Sequence, residues 1–260
     1  MTKKYQHPDR RPAVISGASS GIGAETARKL AAAGFPVALG ARRIERLQDI
    51  VSEIRSGGGE AVAAPLDVTD EQSVSEFAAK VTAGLGDVEV LVSNAGSVAP
   101  GITHEISSDR FGREIDLNLV GAHRLVRAFV PAMVTRRRGD VVFVSSDVAV
   151  RPRPFMAAYS ASKWGLEGMA AAMQMELEGT GVRVSVVRPG PTWSEAGTDW
   201  DPDQAAFVLN QWVRFGLARH PHFLRAHALA EAIMTIVAAP RGVHLSLIDV
   251  NPEAPVQDSP

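Results

Sequence analysis

Tyr159 and Lys163 stand four residues apart in Tyr-Ser-Ala-Ser-Lys, at the head of a segment whose apolar residues Leu166, Met169, Ala170, Met173 and Leu177 recur at helical spacing. Residues four apart share one face of a helix, so the phenol and the ammonium can enter one pocket. A phenol titrates near ~10, too high for easy proton exchange at neutral pH. A neighbouring ammonium favours the phenolate, and the pair therefore suits acid–base chemistry. Ser146 lies upstream, after the apolar run Val141-Val144. The surrounding Val144-Ser145-Ser146-Asp147 lacks the Gly-x-Ser-x-Gly turn that exposes a hydrolytic serine, and such a nucleophile would leave Tyr159 and Lys163 without a purpose.

Elements must hold these groups. Short β-type runs recur at Ala13-Ile15, Pro36-Leu39, Ala61-Pro65, Val88-Val92, Val141-Val144, Val182-Val187 and Val243-Val250, most of them separated by segments of helical periodicity. The runs are nearly continuous in Val, Leu and Ala, as strands covered by helices on both faces require. The pattern predicts an α/β fold: one doubly wound parallel sheet in a single domain over 1–260. A polar arm (1–11) leads into it and a tail (251–260) follows.

The first run enters Ser16-Gly17-Ala18-Ser19-Ser20-Gly21-Ile22-Gly23 and then an Ala-rich helix, Ala24 to Ala33. Glycines let a backbone turn tightly and approach a pyrophosphate, while a helix amino terminus offers unpaired N–H groups and partial positive charge. After the second run, where an acidic side chain would bind a ribose 2'-hydroxyl, the chain has Gly40-Ala41-Arg42-Arg43. Ala41 leaves space and Arg42 offers a fork of donors matched to phosphate oxygens, with Arg43 secondary. NADP(H) is therefore expected over NAD(H).

The spacing Gly-x-x-x-Gly-x-Gly, together with Tyr-x-x-x-Lys, resembles the short-chain dehydrogenase/reductase family, and the resemblance covers nearly the whole chain. It implies a Rossmann-type fold with Gly17, Ser19, Ser20, Gly21, Ile22 and Gly23 at the cofactor. Asp67-Val68 resembles the family's adenine-contacting pair, and Ser93-Asn94-Ala95-Gly96 its Asn-Asn-Ala-Gly turn, with Asn94 keeping the amide and Ser93 departing. Asp67 and Asn94 also suit ordinary turns. The resemblance makes Tyr159 the proton donor to a carbonyl oxygen, Ser146 a hydrogen-bond partner of that oxygen, and Lys163 a ligand of the nicotinamide ribose. It assigns Asn118, in Asp116-Leu117-Asn118-Leu119, to a water that connects Lys163 to solvent. Pro189 and Gly190 resemble the segment that lies on the nicotinamide, with Thr192 and Ser194 as candidate carboxamide or phosphate contacts. Ser145, on the opposite strand face from Ser146, is expected to have a structural or minor role.

Between Pro189 and Pro221 the rhythm breaks into a stretch rich in Pro, Trp and Asp, read as a lid over 190–221. Its Trp193, Trp200, Phe207, Trp212 and Phe215 suit a lipophilic or aromatic carbonyl substrate, or equally a lid helix that buries one face on the core. Asp199-Trp200-Asp201-Pro202-Asp203 superficially resembles a calcium loop, but its glycine and final glutamate positions hold Gln204 and Asn210, so helix capping is expected. His220, His222 and His227 match no zinc spacing, and no metal is expected.

Composition narrows the classes further. Twenty-seven basic against twenty-nine acidic side chains give a net charge of −2, which offers no field to gather nucleic acid or an acidic membrane surface. Arg136-Arg137-Arg138 before Gly139 reads as a solvated helix terminus. The absence of cysteine excludes thiol nucleophiles and disulfides. Without an apolar leader or spanning run, a soluble cytoplasmic protein is expected. The resemblance implies a homodimer or homotetramer, although the chain end lacks the common glycine-rich strand ending. The leading expectation is NADP(H)-dependent interconversion of a ketone or aldehyde with an alcohol. Epimerisation or dehydration on the same scaffold, and a non-catalytic NADP(H)-binding sensor or interaction protein, are the alternatives.

Overall fold

A computed structural model describes residues 6–193, 195, 200–218 and 220–256. The seven apolar runs form strands β1 (Ala13–Ser16), β2 (Val37–Ala41), β3 (Ala61–Pro65), β4 (Val90–Ser93), β5 (Gly139–Val144), β6 (Val182–Pro189) and β7 (Leu247–Val250). All pair in parallel, in the order β3-β2-β1-β4-β5-β6-β7. The connections run outward in one direction from β1 and in the other from β4. Where the order reverses, a crevice opens beyond the carboxyl ends of the strands.

Alternate strand residues face opposite layers, which is why near-continuous hydrophobicity is needed. Ala13, Ile15, Val90 and Val92 enter one core with helices α1 (Gly21–Ala32), α2 (Ile44–Ser56) and α8 (Ala226–Ala238). Val14, Leu91, Val141 and Phe143 enter the other, with α3 (Glu71–Leu85), α5 (Gly121–Arg136) and α6 (Ala157–Glu176). The apolar stripe of α6 buries Leu166, Ala170 and Met173 against the sheet, so core packing accounts for it.

Helix α4 (Ser108–Ile115) continues into α5 through a π-turn at Asp116–Val120. The widened turn carries Asn118, which is 1% exposed. Such one-residue insertions recur at functional sites because they re-aim a side chain without ending the helix. The helix fits against the loop after β3 at Gly121, where an added Cβ would lie 2.7 Å from Val68 Cγ2.

Two expectations need correction. The last strand covers only Leu247–Val250 rather than Val243–Val250. Val243 instead gives its carbonyl to Arg183 Nη1 at 2.6 Å, after the turn at Pro240-Arg241-Gly242. The arginine triplet is also not merely solvated. Arg137 takes the left-handed cap conformation at φ 57°, while Arg136 and Arg138 reach the buried Glu89, Arg138 Nε at 2.8 Å. At this end of the sheet, remote from the crevice, Asp140 is enclosed by Arg11 and Arg183.

Candidate active site

Building from the glycine turn, Gly17 has φ +63°, a conformation that a Cβ would strain, and a Cβ there would lie 2.8 Å from Ala95 Cα. At Gly23 a Cβ would fall 2.7 Å from Asn94 Nδ2 and against the Gly17 carbonyl. The turn is thus wedged between β1 and the loop after β4. Ser16 holds it, accepting at Oγ from Asn94 N and Ala95 N, both at 3.0 Å. Asn94 Nδ2 donates to the Ser16 and Gly17 carbonyls at 3.0 and 3.2 Å. Asn94 therefore acts by fixing the turn. Ser16 was not singled out from the sequence, where a lone hydroxyl ending an apolar run carries little signal.

Ser20 occupies the N-cap of α1 yet makes no capping bond to that helix, and the first turn holds no acidic residue. Its hydroxyl instead accepts from Arg43 Nη2 at 2.9 Å. The N–H groups at the start of α1 are left to an outside anion, which fits a pyrophosphate. Arg42 is exposed and leans toward Asp67, helping to hold that carboxyl below its ordinary range, although the hydrogen bonds from Thr69 do most of this. Asp67 Oδ1 accepts from Thr69 N at 2.9 Å and Thr69 Oγ1 at 2.7 Å, so it builds a turn at the crevice rim. Val68 beside it is buried under Gly121.

On the other side of the crevice, α6 presents Tyr159 and Lys163 on one face, with Lys163 Nζ 5.7 Å from the centre of the Tyr159 ring. Lys163 Nζ donates to the Val144 carbonyl at 2.8 Å, at the end of β5. Burial pushes Lys163 down to about 8, although Glu167 and Glu114 pull the other way. Burial likewise pushes Tyr159 up to about 12, while its hydrogen bond with Ser146 acts to lower it. Ser146 Oγ also accepts from Val148 N at 3.4 Å and donates to Asp147 Oδ1 at 3.3 Å, which fixes the hydroxyl at the start of a short 3-10 turn. Ser145 donates to Glu167 Oε1 at 2.6 Å, on α6 one turn past Lys163.

Asn118 joins the two halves. Its Oδ1 accepts from Ser97 N and its Nδ2 donates to the Ser97 carbonyl, both at 2.9 Å, and Nδ2 also reaches Ser162 Oγ at 3.1 Å. Gly96 lies between them: a Cβ there would be 2.9 Å from Asn118 Oδ1 and 3.8 Å from Lys163 Nζ. The loop after β4, the π-turn and the Lys163 face of α6 thus meet at one point.

Comparison with known proteins decides the family. The family model for short chain dehydrogenase matches residues 11–205. The chain belongs to that family. Its curated relatives include the glycine betaine reductase ATRR of Emericella nidulans, 38% identical over 69% of this chain and 14% of that protein. A short chain dehydrogenase of Pseudocercospora fijiensis is 35% identical over 77% of this chain and 65% of the relative. The chain thus spans less than two thirds of both. Among solved structures, an alcohol dehydrogenase from Thermococcus sibiricus complexed with 5-hydroxy-NADP superposes with a TM-score of 0.80 at 31% identity, covering 93% of this chain and 96% of that one.

One further segment of this short chain dehydrogenase packs over Tyr159. That segment contains α7 (Pro202–Arg214). Trp212, Val208, Val148 and Met156 form a small core against which Tyr159 and Trp200 pack. Trp212 is 8% exposed and meets Trp200 edge-on at 6.4 Å, and Trp200 Nε1 donates to the Val98 carbonyl at 3.1 Å. These two indoles join the cap to the crevice, while Trp193, Phe207 and Phe215 remain largely exposed. Asp201 caps α7, accepting from Asp203 N at 3.1 Å and Gln204 N at 3.0 Å, so the expected capping role holds. His220 and His222 stack edge to face, their ring centres 6.1 Å apart.

Near the cap, Pro189 and Gly190 close the end of β6, with Gly190 N donating to the Val250 carbonyl at 2.8 Å. Thr192 Oγ1 donates to the Gly190 carbonyl at 2.8 Å, and Ser194 lies outside the described residues. Two acids that the sequence reading missed flank the tyrosine. Glu114 is buried, accepts from Ala99 N at 3.3 Å and is pushed up to about 7 by burial. Asp147 is raised by burial although it pairs with Arg153, whose guanidinium lies 4.9 Å from the Trp212 ring centre. Neither has a motif; both are brought in by folding.

Proposed function

We propose that this short chain dehydrogenase interconverts a ketone or aldehyde with an alcohol using NADP(H), with Tyr159 as general acid and base. The observation that carries the reading is that Ser146 and Lys163 both lie against Tyr159 while Asn118 and Lys163 meet across Gly96, beside an uncapped helix amino terminus. The glycine turn and the free N–H groups of α1 fit a pyrophosphate, and Arg42 and Arg43 fit a 2'-phosphate. The related Thermococcus alcohol dehydrogenase, complexed with 5-hydroxy-NADP, supports the cofactor. When bound, the cofactor supplies or accepts a hydride. Tyr159, high in pKa and protonated at neutral pH, holds the proton for the carbonyl oxygen; Ser146 steadies that oxygen and the phenol together. Lys163 lends positive charge that stabilises the phenolate left after transfer. Asn118 keeps Ser97 in place beside Gly96 and Lys163. The Trp200 and Trp212 cap excludes water and suits a lipophilic carbonyl.

Fluorescence titration with NADPH and NADH, then NADPH consumption over a panel of lipophilic ketones, aldehydes and quinones, tests the reading. Tighter NADPH binding with turnover is the expected outcome. Absence of NADPH binding would defeat it, and tight binding without turnover on any carbonyl class would leave a sensor instead.

A further inference from the structure

Arg43 and Arg46, at the amino-terminal end of α2, are both about half exposed. A single carboxylate bridges them: Arg43 Nη1 lies 2.7 Å from Glu195 Oε2, and Arg46 Nη1 lies 2.6 Å from Glu195 Oε1. The same Arg43 donates through Nη2 to Ser19 Oγ and Ser20 Oγ, both at 2.9 Å. The hydrogen bonds from Arg43, Arg46 and Ser20 hold the Glu195 carboxyl below its ordinary range. A cleft of about 360 Å³ opens here, lined by Ser19, Ser20, Gly21, Arg28, Arg46 and Glu195. Glu195 belongs to neither the glycine turn nor α2; it arrives from the segment between β6 and α7.

A carboxylate and a phosphate ask for the same fork of donors, and two arginines with two serine hydroxyls are what a ribose 2'-phosphate would require. Resting on the cofactor reading above, we propose that Glu195 is a resident competitor for the 2'-phosphate of NADP(H). The cofactor must displace this carboxylate from Arg43 and Arg46 before those arginines can bind it. NAD(H) has no 2'-phosphate and makes no such demand. Glu195 therefore sets how strongly the protein prefers one cofactor over the other. The position is a specificity determinant that neither the glycine turn nor the Ala41-Arg42-Arg43 run discloses.

Calorimetric titration of the full chain with 2',5'-ADP, 5'-ADP, NADPH and NADH tests this in the native protein and in Glu195→Ala and Glu195→Gln. Removing an exposed two-arginine competitor should tighten 2',5'-ADP and NADPH about three- to tenfold, with 5'-ADP and NADH changed by less than about twofold. Glu195→Gln, which keeps the shape and loses the charge, should move in the same direction. If native protein prefers NADPH but both variants leave it unchanged or weaker, the competitor role falls and the cofactor reading stands. If native protein and variants alike ignore the 2'-phosphate, both fall.

Discussion

At the scale of single residues, the site combines groups whose ordinary charge states are opposed by burial. Glu114 shows what this does to stability. Its carboxyl is raised from the ordinary 4.5 to about 7 because burial disfavours the anion more than Ala99, Arg110 and Lys163 favour it. Between those values the folded protein binds more protons than the unfolded chain, so its contribution to stability falls as pH rises through that window. Glu114→Gln should accordingly stabilise the protein by about 1–3 kcal/mol at pH 8 and by little at pH 4. Urea unfolding at the two pH values measures it, and an equal effect at both would contradict a buried anion. Tyr159, Lys163 and Ser146 were legible in the sequence because helix periodicity and strand ends fix where their side chains emerge. Glu114 and Asp147 were not, since their proximity to Tyr159 depends on α4 and the turn after β5 folding back across the crevice.

At the scale of elements, the β1 turn is held by contacts that leave no room for change. Gly17 combines a positive φ with a Cβ position 2.8 Å from Ala95 Cα. Gly17→Ala should cost about 1–3 kcal/mol of stability and weaken NADPH binding at least about tenfold, because backbone strain and a displaced Ala95 act together. Thermal unfolding and the cofactor titration read the two effects, and near-native values for both would show the turn to be looser than described. The strand and helix order was readable from the apolar runs. The π-turn at Asp116–Val120 was not, because an inserted residue leaves hydrophobic periodicity almost intact while rotating Asn118 inward. The spacing of the aromatic segment leaves two roles open, and the structure divides them by residue: Trp212 and Val208 are core, whereas Phe207 and Phe215 are exposed.

At the scale of the whole molecule, chemistry and stability occupy opposite ends of one sheet. The crevice sits at the carboxyl ends, and the amino ends are bound by buried ion pairs in which Asp140, 1% exposed, serves Arg11 and Arg183. Burial lowers Arg11 despite that partner, so the pair is a requirement of the fold more than a source of net stability. Asp140→Ala strands two guanidiniums and should cost about 3–5 kcal/mol in denaturant unfolding. Cofactor affinity per folded molecule should stay unchanged; a loss of affinity equal to the loss of stability would show the two ends to be coupled. Sequence gave little warning of this cluster, since Arg11, Asp140 and Arg183 stand far apart along the chain and carry no motif. Among the described residues no helix is long and apolar enough to cross a membrane.

In the proposed reaction Tyr159 carries the proton while the rest of the site binds and orients. Single-turnover oxidation of bound NADPH, measured with a carbonyl substrate found in the panel, tests it in native protein and Tyr159→Phe. The variant should bind NADPH within about twofold of native protein and react at least about a thousandfold more slowly, since the phenol's proton is lost and little of its shape. Reaction at the native rate with Phe at position 159 would contradict the mechanism outright.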